Sequence, residues 1–354
     1  MFKIPQNKTK IIATIGPASG DKKILSKMID VGLDVVRFNF SHGEHDTFDE
    51  WTKNIREINK KRNLNIKIMQ DLQGPRIRIG ESLPKKGINL KEGEIIKLGF
   101  GKYKKGFLPI DYKNIVKDVR VGNSILLVDG LIELKIIAKK KSFLIAKVTQ
   151  GGRVFPRKGV NIPGAHLSTP SLTKKDLEDI KWGIKNKVDF MCLSFVRTAN
   201  DIKDLENVIL KKDKESQIKL VAKIEKPQAV KNINSILKAT DLIMVARGDL
   251  GIEVKLEKLP EIQKEIILKS KKYKKPVIVA TQMMESMTNN PVPTRAEVSD
   301  VANAVFDGAD FVMLSGETTV GKYPIKTVQM VEKVLRESEK EMRKFSLKNF
   351  FIKK

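Results

Sequence analysis

The polar residues that could do chemistry in this chain fall at the ends of apolar runs. One run ends at Thr14. The next carries Arg37, Asn39 and Ser41, spaced i, i+2, i+4, which puts all three on one face of an extended chain. Later runs end at Asp71, carry Ser194, carry Lys223 and Glu225, and lead into Arg247, Gly248 and Asp249. The last two end at Thr281-Gln282 and at Ser315-Gly-Glu317. Arg37, Lys223, Glu225, Arg247 and Asp249 gathered at one mouth are costly unless paired or bound to ligands. Glu225 and Asp249 follow consecutive runs. Two hard oxygen donors, with water and phosphate supplying the rest, form the Mg²⁺ pattern. Arg37 and Lys223 beside them suit the spread negative charge of a phosphoryl group. The residues therefore point to Mg²⁺-dependent chemistry on a small phosphorylated substrate. Phosphoryl transfer, enolisation and carbon–carbon cleavage all remain open on this ground.

Eight runs must position these groups: Lys10–Ile15, Asp34–Phe40, Ile66–Leu72, Asp189–Val196, Ile218–Ile224, Leu242–Ala246, Pro276–Ala280 and Phe311–Leu314. Each has the length of a buried parallel strand. Most are separated by segments of helical period, such as Asp21–Val31 and Leu256–Lys271. Thr173-Lys-Lys-Asp176 and Thr294-Arg-Ala-Glu297 have capping-box spacing. Strand–helix alternation predicts an α/β fold with a parallel sheet, and eight units predict a (β/α)8 TIM barrel; an open doubly wound sheet also fits the periodicity. Strand C-termini converge on one face of a barrel, which would collect the charges. One gap breaks the alternation. From Arg78 to Lys158 the chain is rich in Gly, Lys and short alternating runs, the texture of a small antiparallel all-β domain inserted after the third strand, in the place of a lid. The expected division is 1–77 barrel, 78–158 inserted lid, 159–345 barrel and 346–354 tail.

The chain has 354 residues, 41% hydrophobic, enough for a large core. Its net charge is +26, but the lysines are scattered and aromatics make up only 6%, so the charge reads as solvated faces rather than a nucleic-acid surface. There is no apolar signal core and no stretch near membrane-spanning length, so neither nucleic acid nor membrane is an expected partner. The single cysteine, Cys192, lies in an apolar run and reads as a buried thiol in a reducing cytoplasm. Gly316-Glu-Thr-Thr-Val-Gly321-Lys322 begins like a P-loop, but Tyr323 stands where the Mg²⁺-binding hydroxyl belongs. His42 and His45 have no cysteine or second histidine cluster to make a zinc site.

Longer strings carry a family resemblance. Thr9-Lys-Ile-Ile-Ala-Thr-Ile-Gly-Pro-Ala-Ser19, Val36-Arg-Phe-Asn-Phe-Ser-His-Gly43, Lys158-Gly-Val-Asn-Ile-Pro-Gly164, Met244-Val-Ala-Arg-Gly-Asp-Leu-Gly-Ile-Glu253, Ala280-Thr-Gln-Met-Met-Glu-Ser-Met287 and Met313-Leu-Ser-Gly-Glu-Thr318 occur in order. The chain resembles the pyruvate kinases from about Thr9 to Ala302 and on through Tyr323. The resemblance implies transfer of the phosphoryl group of phosphoenolpyruvate to ADP, giving pyruvate and ATP. It assigns Glu225 and Asp249 to Mg²⁺, Lys223 to the enolate oxygen and migrating phosphoryl group, and Arg37 to phosphate. Gly248, Asp249 and Thr281 would seat the substrate carboxylate, and Thr281, Ser315 and Glu317 would help deliver a proton. Arg37, Asn39, His42, Arg78 and Lys158 would meet the nucleotide phosphates, Pro17 the adenine side, and Asp129 the nucleotide-bound metal on lid closure. A truncated paralogue repurposed as a basic binding protein is the competing reading; its mark, erosion of catalytic residues, is absent from the sequence.

Two departures from the family pattern stand out. Potassium-dependent members usually read Asp-Thr-Lys-Gly-Pro-Glu-Ile-Arg-Thr, where this chain has Asp71-Leu-Gln-Gly-Pro-Arg76-Ile-Arg-Ile79. A K⁺ ion would be held by Asn39, Ser41, Asp71 and the Leu72 carbonyl, and Arg76 would bring a fixed cation to that spot, so K⁺ is not expected to be required. The family also usually continues into a C-terminal effector domain. Its absence here predicts no control through that site and a homodimer through the barrel.

Overall fold

The computed structural model describes residues 7–352. Eight parallel strands close into a barrel: β1 (Lys10–Thr14), β2 (Val35–Asn39), β3 (Lys67–Asp71), β4 (Phe190–Leu193), β5 (Lys219–Ile224), β6 (Leu242–Ala246), β7 (Val277–Ala280) and β8 (Phe311–Leu314). Each strand pairs with its sequence neighbours, and β1 closes the ring against β8, with Ile11 opposite Val312. The architecture is the (β/α)8 barrel, and the open-sheet alternative is excluded by that closure. Each strand falls within the apolar run expected to form it, trimmed where the chain turns out toward a helix or loop.

The period of two along each strand sorts the side chains into two cores. Ile12, Val35, Met69, Cys192, Val221, Leu242, Met244, Ile278, Ala280 and Met313 fill the inside of the ring. Their neighbours Ala13, Val36, Ile68, Leu193, Ala222, Val245, Val279 and Leu314 face outward and pack against the helices. Cys192 is fully buried, and burial pushes its thiol well above its ordinary range, which leaves it an inert apolar filler. The helical layer is capped as the spacing predicts. Thr173 and Asp176 form a reciprocal capping box before Lys174–Lys185, and Thr294 and Glu297 do the same before Arg295–Asp307. The last helix runs Pro324–Ile352 and continues past the expected boundary at 345. Met1–Gln6 and the last two residues of the expected tail lie outside the described residues.

Between β3 and β4 the chain builds a separate β unit. A six-stranded sheet has the order Val160–Asn161, Ser124–Leu127, Ile132–Lys139, Leu144–Gln150, Ile95–Gly99, Phe107–Pro109, and a second pair joins Ile88–Leu90 to Gly152–Val154. Leu98, Ile125, Leu134, Leu144 and Val148 are among the residues of its own apolar core. One pair departs from the antiparallel expectation: Ile95–Gly99 and Phe107–Pro109 run parallel. The three-residue strand lies at the sheet edge, where Pro109, lacking an N–H, is tolerated. The two crossings into this insert lie side by side, with Arg78 bridged to Gly159.

Candidate active site

The inward stripe that is apolar deep in the barrel turns polar at its C-terminal end. Two residues beyond Ile12, Val35, Met69, Cys192 and Val221, on the same face, stand Thr14, Arg37, Asp71, Ser194 and Lys223. Register brings them together, since Thr14 is opposite Arg37, Asn39 opposite Asp71, and Asp71 opposite Cys192. These groups interlock. Arg37 donates from Nε to Asp71 Oδ2 at 2.8 Å and from Nη1 to Thr14 Oγ1 at 2.7 Å. Lys223 Nζ lies 3.2 Å from Asp71 Oδ1 and 3.0 Å from Glu225 Oε1, and donates to Ser194 Oγ at 2.8 Å.

Burial alone would neutralise this cluster, and mutual pairing decides otherwise. For Asp71, burial pushes the carboxyl up, but the charges of Lys223 and Arg37 outweigh it and hold it below its ordinary value. For Lys223, burial pulls the ammonium down, and Asp71 and Glu225 reverse that and raise it, so it stays charged. Glu225 is raised, chiefly by burial, with Lys223 opposing and Asp249 adding to the shift. One Glu225 oxygen accepts the Phe195 N–H at 2.7 Å. The other, Oε1, is buried and lies 3.0 Å from the Lys223 ammonium without a well-directed hydrogen bond. Such an under-satisfied oxygen, with Asp249 close enough to perturb it, fits a cation completed by substrate and water. Among the described residues no group of three or more His, Cys, Asp or Glu side chains is placed to hold a metal ion.

The adjoining strand ends are clamped. Gly248 N–H donates to Thr281 Oγ1 at 2.8 Å. Thr281 and Gln282 both have positive φ, 74° and 53°, an unfavourable conformation for side-chain-bearing residues. Arg247 holds them there: Nη2 donates to the Thr281 carbonyl at 2.6 Å, while Nη1 pairs with Asp300 at 2.7 Å. Glu317 is fully buried, and its oxygens accept the N–H groups of Met284 at 3.0 Å and Ser315 at 2.7 Å. Its contacts hold two loops in place.

A cleft of about 720 Å³ between barrel and insert is lined by Ser41, His42, Arg76, Arg78, Asp129 and Lys158 among others. It gathers His42, Arg78, Lys158 and Asp129 as expected. Exposed Pro17 and half-buried Asn39 are not among its lining residues, and Asn39 Oδ1 instead accepts the Ser41 N–H at 3.1 Å. Burial, followed by the charges of Arg78, Arg76 and Arg37, lowers His42 below its ordinary value and favours the neutral ring.

Arg76 departs from expectation. It was to stand beside Asn39, Ser41, Asp71 and the Leu72 carbonyl, but its ion pairs are with Asp249 at 3.3 Å and Asp129 at 3.7 Å. Asp71 already has two cations, and the Leu72 carbonyl accepts Ser194 Oγ at 2.7 Å, so the unsatisfied carboxylates lie on the other side. Two contacts escaped the sequence reading: Glu253, which is buried, accepts Asn161 Nδ2 at 2.9 Å, and it pairs with Lys226. Glu253 sits one turn beyond Asp249, and its spacing carries no signal that separates it from a solvent-facing acid.

The chain matches the family model for the pyruvate kinase barrel domain over residues 6–328. It belongs to the pyruvate kinase family. It is 44% identical over 338 residues to a pyruvate kinase of Dictyostelium discoideum, covering 94% of this chain and 66% of the relative. Identity is 43% over 339 residues to that of Thermotoga maritima, with coverage of 95% and 72%. It is 43% over 343 residues to that of Geobacillus stearothermophilus, with coverage of 95% and 58%. The chain therefore spans roughly two thirds of the length of these pyruvate kinases. No helix among the described residues is long and apolar enough to cross a membrane.

Proposed function

We propose that this chain transfers the phosphoryl group of phosphoenolpyruvate to ADP. The observation that carries the reading is the buried Arg37–Asp71–Lys223–Glu225 cluster at the C-terminal ends of the strands. A basic cleft against the insert is tied to the barrel mouth by Arg76, which lines the cleft and pairs with Asp249. Glu225 and Asp249 would hold Mg²⁺, which when bound neutralises phosphoryl charge. Arg37 and Lys223 are fixed cations at the base of the mouth. They bind the phosphoryl oxygens and stabilise the charge that moves onto the enolate oxygen as its bond to phosphorus breaks. A β-phosphate oxygen of ADP, held by Arg78 and Lys158, forms the new bond. The Gly248–Asp249 backbone and Thr281 would seat the carboxylate, and Thr281, Ser315 and Glu317 would help deliver a proton to the enolate carbon. The insert excludes water as a lid, with Asp129 approaching the nucleotide.

The same proposal holds that K⁺ is not required, because Arg76 brings a guanidinium charge to the barrel mouth, though beside Asp249 rather than among Asn39, Ser41, Asp71 and the Leu72 carbonyl. It also takes the protein to be a cytoplasmic homo-oligomer, for which light scattering is expected to give the mass of a dimer. The test is pyruvate formation from phosphoenolpyruvate, ADP and Mg²⁺, coupled to lactate dehydrogenase, in K⁺ and in Na⁺ buffers. Equal rates are expected. Activity in K⁺ alone would remove the role given to Arg76, and folded but inactive protein in both salts would favour the basic binding protein.

A further inference from the structure

Arg76 lies where four parts of the molecule meet. It leaves the first crossing into the insert, and its guanidinium lies against the second crossing at Gly159. A Cβ at Gly159 would come within 3.1 Å of Nη2 and 3.2 Å of Nε, so the missing side chain lets the planar group lie close against the backbone. The same Nη2 then reaches Asp249 Oδ1 on the barrel at 3.3 Å and Asp129 Oδ1 at the tip of the insert at 3.7 Å. The tip is a hairpin in which Val128, Asp129 and Gly130 all have positive φ, 53°, 55° and 90°. Left-handed backbone at a β-branched valine is strained and needs outside support. The turn is closed by Gly130 N–H to the Leu127 carbonyl at 3.2 Å and Leu131 N–H to the Val128 carbonyl at 3.1 Å, and the Asp129–Arg76 pair links it to the barrel.

We propose that Arg76 is a positioning residue that competes with the divalent cation for Asp249 and, through Asp129, couples that competition to the position of the insert. This rests on the reading that Glu225 and Asp249 hold the metal. A cation held by the Asp249 carboxylate would be repelled by the Arg76 guanidinium and would share that one negative charge with it. Metal binding weakens the Arg76–Asp249 pair and frees the hairpin tip to adjust to the nucleotide. Linkage requires the converse: whatever loosens Arg76 strengthens metal binding.

The test needs no turnover. Mn²⁺ binding to the EDTA-treated full chain is followed by electron paramagnetic resonance for the wild type, Arg76→Met, Asp129→Asn and the double variant. Arg76→Met is expected to bind Mn²⁺ about tenfold more tightly. Asp129→Asn, which leaves Arg76 to Asp249 alone, binds about twofold more weakly, and that effect vanishes in the Arg76→Met background. In wild type, Mn²⁺ also speeds hydrogen exchange at residues 127–131, whereas in Arg76→Met exchange there is already fast and does not respond. Unchanged or weaker Mn²⁺ binding by folded Arg76→Met would overturn the inference and leave the kinase reading standing. So would an Asp129→Asn effect that persists without Arg76. Failure of wild type to bind Mn²⁺ at all would overturn both.

Discussion

The barrel mouth and the insert both present charge to the same space, but they hold it differently. At the mouth, Arg37, Asp71, Lys223 and Glu225 are all buried and each touches another of the set. On the insert, Asp129 is 75% exposed, Lys158 is exposed, and the nearest ordered partner of Asp129 is 3.7 Å away. The mouth is set before anything binds, whereas the insert's groups keep the freedom to be recruited. Preorganised charge suits stabilisation of a transition state, and adaptable charge suits capture of a polyphosphate.

Breaking the mouth should therefore cost far more than breaking the insert. Lys223→Met removes the central cation and leaves Asp71 and Glu225 facing each other. A loss of about 10³-fold in kcat is expected, with KM for ADP nearly unchanged. A mainly KM effect would place Lys223 outside the reacting centre. Asp71→Asn should lower stability by about 3 kcal/mol in urea unfolding, because buried Arg37 loses its ion-pair partner and Lys223 loses one of its two. The sign with pH follows from its lowered value. The Asp71 contribution is fully present above its ordinary value of 3.8 and is lost as pH falls through the lower folded value, so the wild-type advantage over Asp71→Asn should shrink only in strong acid. Lys158→Ala should raise KM for ADP about tenfold while moving stability by less than about 0.5 kcal/mol. A large loss of stability there would mean that the insert is as tightly set as the mouth, and would erase the contrast.

The mouth was legible in the sequence because its logic is local. Period two places Arg37 and Asn39 on one face, and strand ends mark the C-terminal rim, so residue type and spacing suffice. Arg76 was not legible in the same way. A long side chain beyond a strand end chooses among partners by where the insert sits, and that is set by pairings such as Val160 with Leu127, over thirty residues apart. Glu317 shows another limit. Its position after β8 marked it as a site acid, and the structure adds what sequence cannot reveal, that each of its oxygens accepts a backbone N–H from a different loop. Pro17 rested on resemblance alone, and it stands outside the cleft lining.

The Arg78–Gly159 bridge also bears on how the barrel is assembled. The seam between β3 and β4 joins Asp71 to Cys192 across more than a hundred intervening residues. Once the insert has formed its own core, the bridge short-circuits most of that length, leaving a loop of roughly forty residues to close. The saving in chain entropy is about 1 kcal/mol by the logarithmic dependence on loop length. An insert that forms its own core first would thus act as a staple, making a distant pair of strands behave during assembly as near neighbours.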